Sequence, residues 1–208
     1  MSLRAGVLPS KAVASRGRPN VNLDCNHCGP GTKEWLGHIL ETCPRTHGPH
    51  IHRHDLLVHK LARMFKNMGY NYITEPRIKN GSMFCKPDLV IWNSERSAVL
   101  DVEVSSDGYR TPNHGHDRKV EKYSTDEVKR YVTQLTGHQP LITAFSTNWR
   151  GIIAPLSASD MLLLGLRRKQ LELLSVVTIE QGTVIHRHFM KSCSRASTQN
   201  RHPKRSHR

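Results

Sequence analysis

The sequence predicts an α/β sandwich, a small mixed sheet flanked by helices, preceded by a small segment rich in cysteine, histidine and glycine. Three observations carry this reading. From residue 51 onward the apolar pattern runs helix, three strands, helix, strand, helix. The strand-like runs are dominated by Val, Ile and Leu, as in strands buried on both faces. Ahead of them, three of the five cysteines fall within nineteen residues, beside histidine.

Residues 1–24 read as a basic linker, because Pro9, Gly17 and Pro19 oppose long regular structure. Residues 25–49 form the Cys/His segment. Leu57, Leu61, Phe65 and Met68 recur at helical spacing from Ile51, and Gly69 supplies a stop. Strands are expected at Tyr70–Ile78, Phe84–Trp92 and Ala98–Ser105. A polar loop follows to His116, then a charged helical region to about Thr136. Ser124 and Glu127 have capping-box spacing there, which predicts a break near Tyr123. Leu141–Thr147 reads as a strand; Ser157–Leu166 and Lys169–Leu174 read as helices. Val176–Ile179 and Val184–Phe189 fit either a hairpin or a continued helix. Residues 191–208 hold six Lys or Arg and no acid, so a disordered basic tail is expected. The domain formed by the helices and strands thus spans 50–190.

Charge points to the class of partner. Lys and Arg number 31 against 17 Asp and Glu, a net charge of +14. Such an excess favours polyanions, because each neutralised phosphate releases condensed counterions. No apolar run is long enough to span a bilayer and no amphipathic anchor is evident, which turns the reading from membrane to nucleic acid. The N-terminus lacks the apolar core of a secretory signal, although an Arg- and Ser-bearing organellar presequence fits its composition. Clustered cysteines beside histidine suit metal binding in a reducing compartment better than disulfides.

Cys25, Cys28, His38 and Cys43 have C-x2-C-x9-H-x4-C spacing. Two cysteines separated by two residues can turn their sulfurs toward one point, and the later pair completes a tetrahedron around zinc. So small a segment has little apolar core, and the metal would supply much of its folding free energy. Ordinary buried thiols are the alternative; His27 and His47 are substitute ligands. The remaining histidines of HGPHIHRHD read as solvated groups on a basic face.

The run KPDLVIWNSERSAVLDVEV places Asp88 at a strand start and Asp101 in the next strand, thirteen positions on. Adjacent antiparallel strands can bring both carboxylates to one end of a sheet, and Glu103 shares the face of Asp101 by the period of two. Buried unpaired charge is costly, and a divalent cation relieves it; carboxylate oxygens suit magnesium. The structural alternative pairs Asp101 or Glu103 with Arg77, Lys79 or Arg118. Lys119 and Lys122 are three apart, hence on one helical face. Either can orient water or stabilise charge on phosphorus, or merely contact phosphate.

In order, the Cys/His segment, RTHGPHIHRHD, EPRI, KPDLV, DVEV, KVEKY and NWRG resemble the C-terminal part of a site-specific retrotransposon polyprotein without long terminal repeats. The group is the R-two type, which inserts into ribosomal RNA genes. The resemblance implies a zinc knuckle and a restriction-endonuclease-like core that nicks DNA in the nucleus, so that a 3′-hydroxyl primes reverse transcription. It implies zinc and magnesium, a ribosomal-gene DNA target with the element RNA as a further partner, no membrane and no small-molecule substrate. By position, Asp88 and Asp101 become metal ligands, Lys119 or Lys122 the catalytic lysine, and Glu75 a further acid near the site. Glu103 stands where many such nucleases carry lysine. Residues 1–24 resemble the linker after the reverse transcriptase. No Tyr- or Phe-x-Asp-Asp pair occurs, so polymerisation is not expected here, and Met1 is expected to begin a fragment or a degenerate copy. Two rivals stand beside this reading: a nucleic-acid-binding module whose catalysis has decayed, and a host-domesticated nuclease.

Overall fold

In the computed structural model the described residues are Leu3, 7–106 and 112–199, with side chains described to Ser194. The chain divides into two compact units, Met1–Ile51 with Glu180–Arg208, and His52–Ile179.

The first unit is built around the Cys/His segment. α1 (Lys11–Ala14) is capped by Ser10, whose hydroxyl accepts from Val13 N. Lys11 ties it down through Glu34 Oε1 at 3.0 Å and Asn26 Oδ1 at 2.6 Å. The expected linker is therefore folded from Pro9 on, where the Pro9 carbonyl meets His186 Nε2 at 2.6 Å. β1 (Asp24–Cys25) and β2 (Gly29–Lys33) pair antiparallel, and a π-helical turn (His38–Thr42) and a 3-10 turn (Pro44–Thr46) follow. Ile39, Leu40, Ile185 and Phe189 are buried here.

In the second unit the main sheet has four strands in the order β3-β6-β7-β8: Asn71–Thr74, Leu89–Trp92, Ser97–Ser105 and Pro140–Asn148. The first two contacts are antiparallel and β7 with β8 is parallel, so the sheet is mixed as expected. α2 (His47–Asn67), α5 (Pro155–Leu163) and α6 (Arg168–Gln199) supply apolar side chains to one face, and α3 (Pro112–Tyr123) and α4 (Asp126–Thr136) to the other. The period of two sorts the residues. Leu89, Ile91, Leu100 and Val102 join the first core with Leu57, Leu61 and Phe65, whereas Val90 and Val99 join Tyr123, Val128 and Val132.

Several boundaries differ from expectation. Two of the three expected strands are each cut in two, and the separated halves pair as β4 (Ile78–Asn80) and β5 (Met83–Cys85). Pro76 and Pro87 lie at the breaks, where a residue without an amide hydrogen cannot continue a ladder. Glu75 also leaves the strand conformation, with φ of 50°. The helix break at Tyr123 is present, but Thr125 caps α4 and the Ser124 hydroxyl turns back to the Val120 carbonyl at 2.6 Å. α6 decides the hairpin-or-helix question for helix. It continues to Gln199, where a disordered tail was expected from Lys191, and from Glu180 it belongs to the Cys/His unit rather than to a 50–190 domain. The rest of that tail, residues 200–208, lies outside the described residues, as do 107–111 of the expected loop. Among the described residues no helix is long and apolar enough to cross a membrane.

Candidate functional site

The four residues named for zinc come together. The ligand atoms of Cys25, Cys28, His38 and Cys43 all lie within 4.8 Å of one another. Cys28 Sγ is 3.4 Å from His38 Nε2 and 3.9 Å from Cys43 Sγ. A tetrahedral zinc with bonds of ~2.3 Å to sulfur and ~2.0 Å to nitrogen spaces such atoms about 3.5 and 3.8 Å apart. The donor set therefore fits zinc in chemistry, and these two spacings fit it in size.

Local structure explains the convergence. Gly29 and Gly31 have φ of 79° and 86°, which lets the chain turn tightly after the first cysteine pair. Residues five apart on an α-helix would point about 140° from each other. The π-helical turn, closed by Cys43 N to the His38 carbonyl at 2.8 Å, is wider and narrows that angle. Thr46 Oγ1 donates to the Ile39 carbonyl at 2.7 Å and to that of Cys43 at 3.0 Å. His38 Nδ1 meets Thr42 Oγ1 at 3.0 Å, leaving Nε2 toward the sulfurs, as an outer contact that fixes a ligating imidazole should. Burial lowers the pKa of His38 and pushes the Cys43 thiol up to about 12. His27 does not join: its Nε2 meets Ser192 Oγ at 3.0 Å, and its ring lies edge-on to Phe189.

The carboxylate cluster forms where β6 begins and β7 passes it. Asp88 stands immediately before β6, and its Oδ2 accepts from Val102 N at 2.6 Å. Asp101 is 2% exposed and lies on the sheet face that packs α3, where Lys119 Nζ is ion-paired with its Oδ2. Burial, then the neighbouring Asp88, raise the pKa of Asp101, against the pull of Lys119 and Tyr123. A buried carboxylate beside a partly buried one, the second raising the proton affinity of the first, is an oxygen donor set suited to a hard divalent cation.

The other candidates separate. Glu103 shares the face of Asp101, but its Oε2 is held by Arg118 at 2.6 Å, which is the structural alternative named for it. Gly115 explains how α3 sits so close: a Cβ there would lie 2.6 Å from Ser146 Oγ and 3.0 Å from the Glu103 carboxylate. Lys122 forms no ion pair with either aspartate; it bonds Tyr123 Oη at 2.9 Å with its ammonium over the ring, one hydroxyl away from Asp101. Glu75 is exposed and paired with Lys86 at 2.9 Å, yet its amide bonds the Asp88 carbonyl at 3.0 Å. With His54, Thr74 and Asp88 it lines a cavity of about 180 Å³.

His54 was missed by sequence reasoning. Its Nε2 is 3.1 Å from Asp88 Oδ2, and that bond holds the imidazole pKa up at about 9. Helical spacing carried the signal, since His54 precedes buried Leu57 and Val58 by three and four residues and so faces the sheet. Because the folded pKa is raised, the pair's stabilisation is complete below 6.5 and is lost as pH rises through about 9. The urea midpoint of His54→Gln should fall below wild type at about pH 6 and match it at about pH 10. A gap of constant size would mean that packing, not charge, holds His54.

No protein-family model matches the chain. It is 29% identical over 185 residues to the retrovirus-related Pol polyprotein from type-2 retrotransposable element R2DM of Drosophila melanogaster, covering 88% of this chain and 17% of that one. The Pol polyprotein from type-1 retrotransposable element R2 of Nasonia vitripennis is 30% identical over 158 residues, 74% of this chain and 15% of the relative. One from Popillia japonica is 34% identical over 152 residues, 72% of this chain and 19% of the relative. The chain thus spans less than a fifth of the length of these three relatives.

Proposed function

Since the chain is a homologue of the R2 retrotransposable-element Pol polyproteins, we propose that its sheet unit is a metal-dependent DNA endonuclease with a restriction-enzyme-like core, and that the Cys/His cluster is a zinc knuckle. The observation that carries the reading is the meeting of Asp88, Asp101 and Lys119, contributed by the entry to β6, by β7 beside it and by the helix packed on them. A magnesium ion held by the two carboxylates would polarise water and the scissile phosphate. Asp101 and Asp88 are pre-positioned for that role, one by burial against α3 and the other by Val102 N and His54. The Lys119 ammonium stands where it can exchange Asp101 for a phosphate oxygen and stabilise the charge growing on phosphorus. Hydrolysis breaks the bond to the 3′ oxygen, which leaves with a proton, and water's oxygen stays on the 5′ phosphate. In an R2-type element the 3′-hydroxyl would prime reverse transcription, in the nucleus and at a ribosomal RNA gene. The net charge of +14 supports a nucleic-acid partner, gripped chiefly through phosphates, with the knuckle contributing to DNA or element RNA.

A second reading has an observation of its own. Lys119 and His54 already neutralise the two aspartates, as they would in a binding module that has lost catalysis. Supercoiled plasmid separates the two. The nuclease nicks it in magnesium, not in calcium, leaving 5′-phosphate and 3′-hydroxyl ends. Binding that weakens steeply with salt, with no nicking in magnesium or manganese, leaves the binding module in possession.

A further inference from the structure

The β4–β5 hairpin projects two apolar side chains that no core residue covers. Ile78 and Cys85 form its inward pair, at 1% and 8% exposure, while the next pair, Lys79 and Phe84, points outward. Phe84 is 60% exposed and Met83, at the turn, 73%. The turn is held in shape by Gly81, whose φ of 61° suits the first central position of a two-residue hairpin. Exposed large apolar groups at a loop tip call for a partner, and the surrounding charge says which kind. The Arg77 guanidinium lies over the Phe84 ring at 4.8 Å. A pocket of about 340 Å³ beside it is walled by Met83, Phe84 and Cys85, with Asn80, Lys86 and Lys122 at its polar edge.

An aromatic face, an apolar wall, one amide and several cations are the complement of a nucleobase still attached to its phosphate. Position agrees with chemistry. The chain runs from Cys85 through two residues to Asp88, and Lys122 follows Lys119 by ~4.5 Å of helix rise. We infer that the β4–β5 hairpin and its pocket receive an unstacked base of the DNA strand next to the scissile phosphate, with Phe84 as the stacking surface. The inference rests on the nuclease reading for the path of the strand and goes beyond it: the preferred substrate is DNA already opened at the cut, not continuous duplex.

Binding in calcium tests this without cleavage. The probes are a short duplex and the same duplex with a run of mismatches at its centre. Wild type should bind the mismatched probe about tenfold more tightly. Phe84→Ala should lose that preference and keep its affinity for the continuous duplex, and Phe84→Trp should retain the preference. Phe84 is exposed, so neither change threatens folding. Equal binding of both probes by wild type, or a preference that survives Phe84→Ala, overturns the inference. Magnesium nicking of the same probes keeps the two questions apart. Nicking without preference defeats only the hairpin assignment, and preference without nicking defeats only the nuclease.

Discussion

Asp101→Asn should lower magnesium-dependent nicking by about 10³-fold and, at neutral pH, raise the thermal midpoint of the chain. The two effects have one cause. Asp101 is buried, faces Asp88, and has a raised pKa despite its pairing with Lys119. A carboxyl whose folded pKa lies above its unfolded value holds extra protons in the folded state. Its ionisation therefore costs stability, and the cost grows as pH rises from 3.8 through the folded value. Asparagine has the same shape and no charge. Lys119 is 17% exposed and can reach water when its partner is gone. Relief of a buried like-charge contact is worth about 1 kcal/mol, or about 3 °C in a chain of this size. The gain should shrink as pH falls and vanish below 3.8, where wild-type Asp101 is protonated in both states. Magnesium supplies a second readout: it should raise the wild-type midpoint and leave that of Asp101→Asn unchanged. A variant several degrees less stable than wild type would make Asp101 a structural counter-ion for Lys119, and the nuclease assignment would fail with it.

Replacing Cys43 with serine should remove the metal and most of the order of the Cys/His unit. Zinc analysis of the purified chain is expected to return one zinc per wild-type molecule and none for Cys43→Ser. The segment between Asp24 and Thr46 has few apolar residues besides Leu36, Ile39 and Leu40, so its folding is expected to lean on a bound metal, as in small zinc domains where binding is worth about 10–16 kcal/mol. Cys43 is buried, and its thiol is held protonated to about pH 12 when no metal draws off the proton. Hydrogen exchange should then show lost protection at residues 25–46, while β6, β7 and β8 in the other unit keep theirs. Full protection of 25–46 in a zinc-free variant would mean that packing alone holds this segment.

Helix α2 and the apolar strands were legible in the sequence because their burial is written in local periodicity. Leu57, Leu61 and Phe65 recur at helical spacing, and Val99, Asp101 and Glu103 alternate out of the Leu100 and Val102 face. The Cys/His cluster was legible for a similar reason, since its four residues lie within nineteen positions and short turns join them. The strand breaks at Pro76 and Pro87 were also in view, but the apolar runs on either side outweighed them. The long α6 was not legible, because Val176–Phe189 has the composition of strands and only packing along its length makes it helical.

By itself, then, the sequence determined most element types, the Cys/His cluster that could hold a metal and the pair of aspartates, all of which depend on spacing within a few turns or one hairpin. Tertiary structure decided which charges meet. It gave Lys119, not Lys122, to Asp101, gave Glu103 to Arg118, and brought His54 to Asp88 across 34 positions of sequence. Two lysines one helical turn apart are equivalent in a sequence. They become different only when Gly115 lets α3 settle on β7 and β8, so that one side chain meets a buried carboxylate and the other lies over the Tyr123 ring. The strength of a charge contact depends on distance and desolvation, and neither exists until the helix has docked.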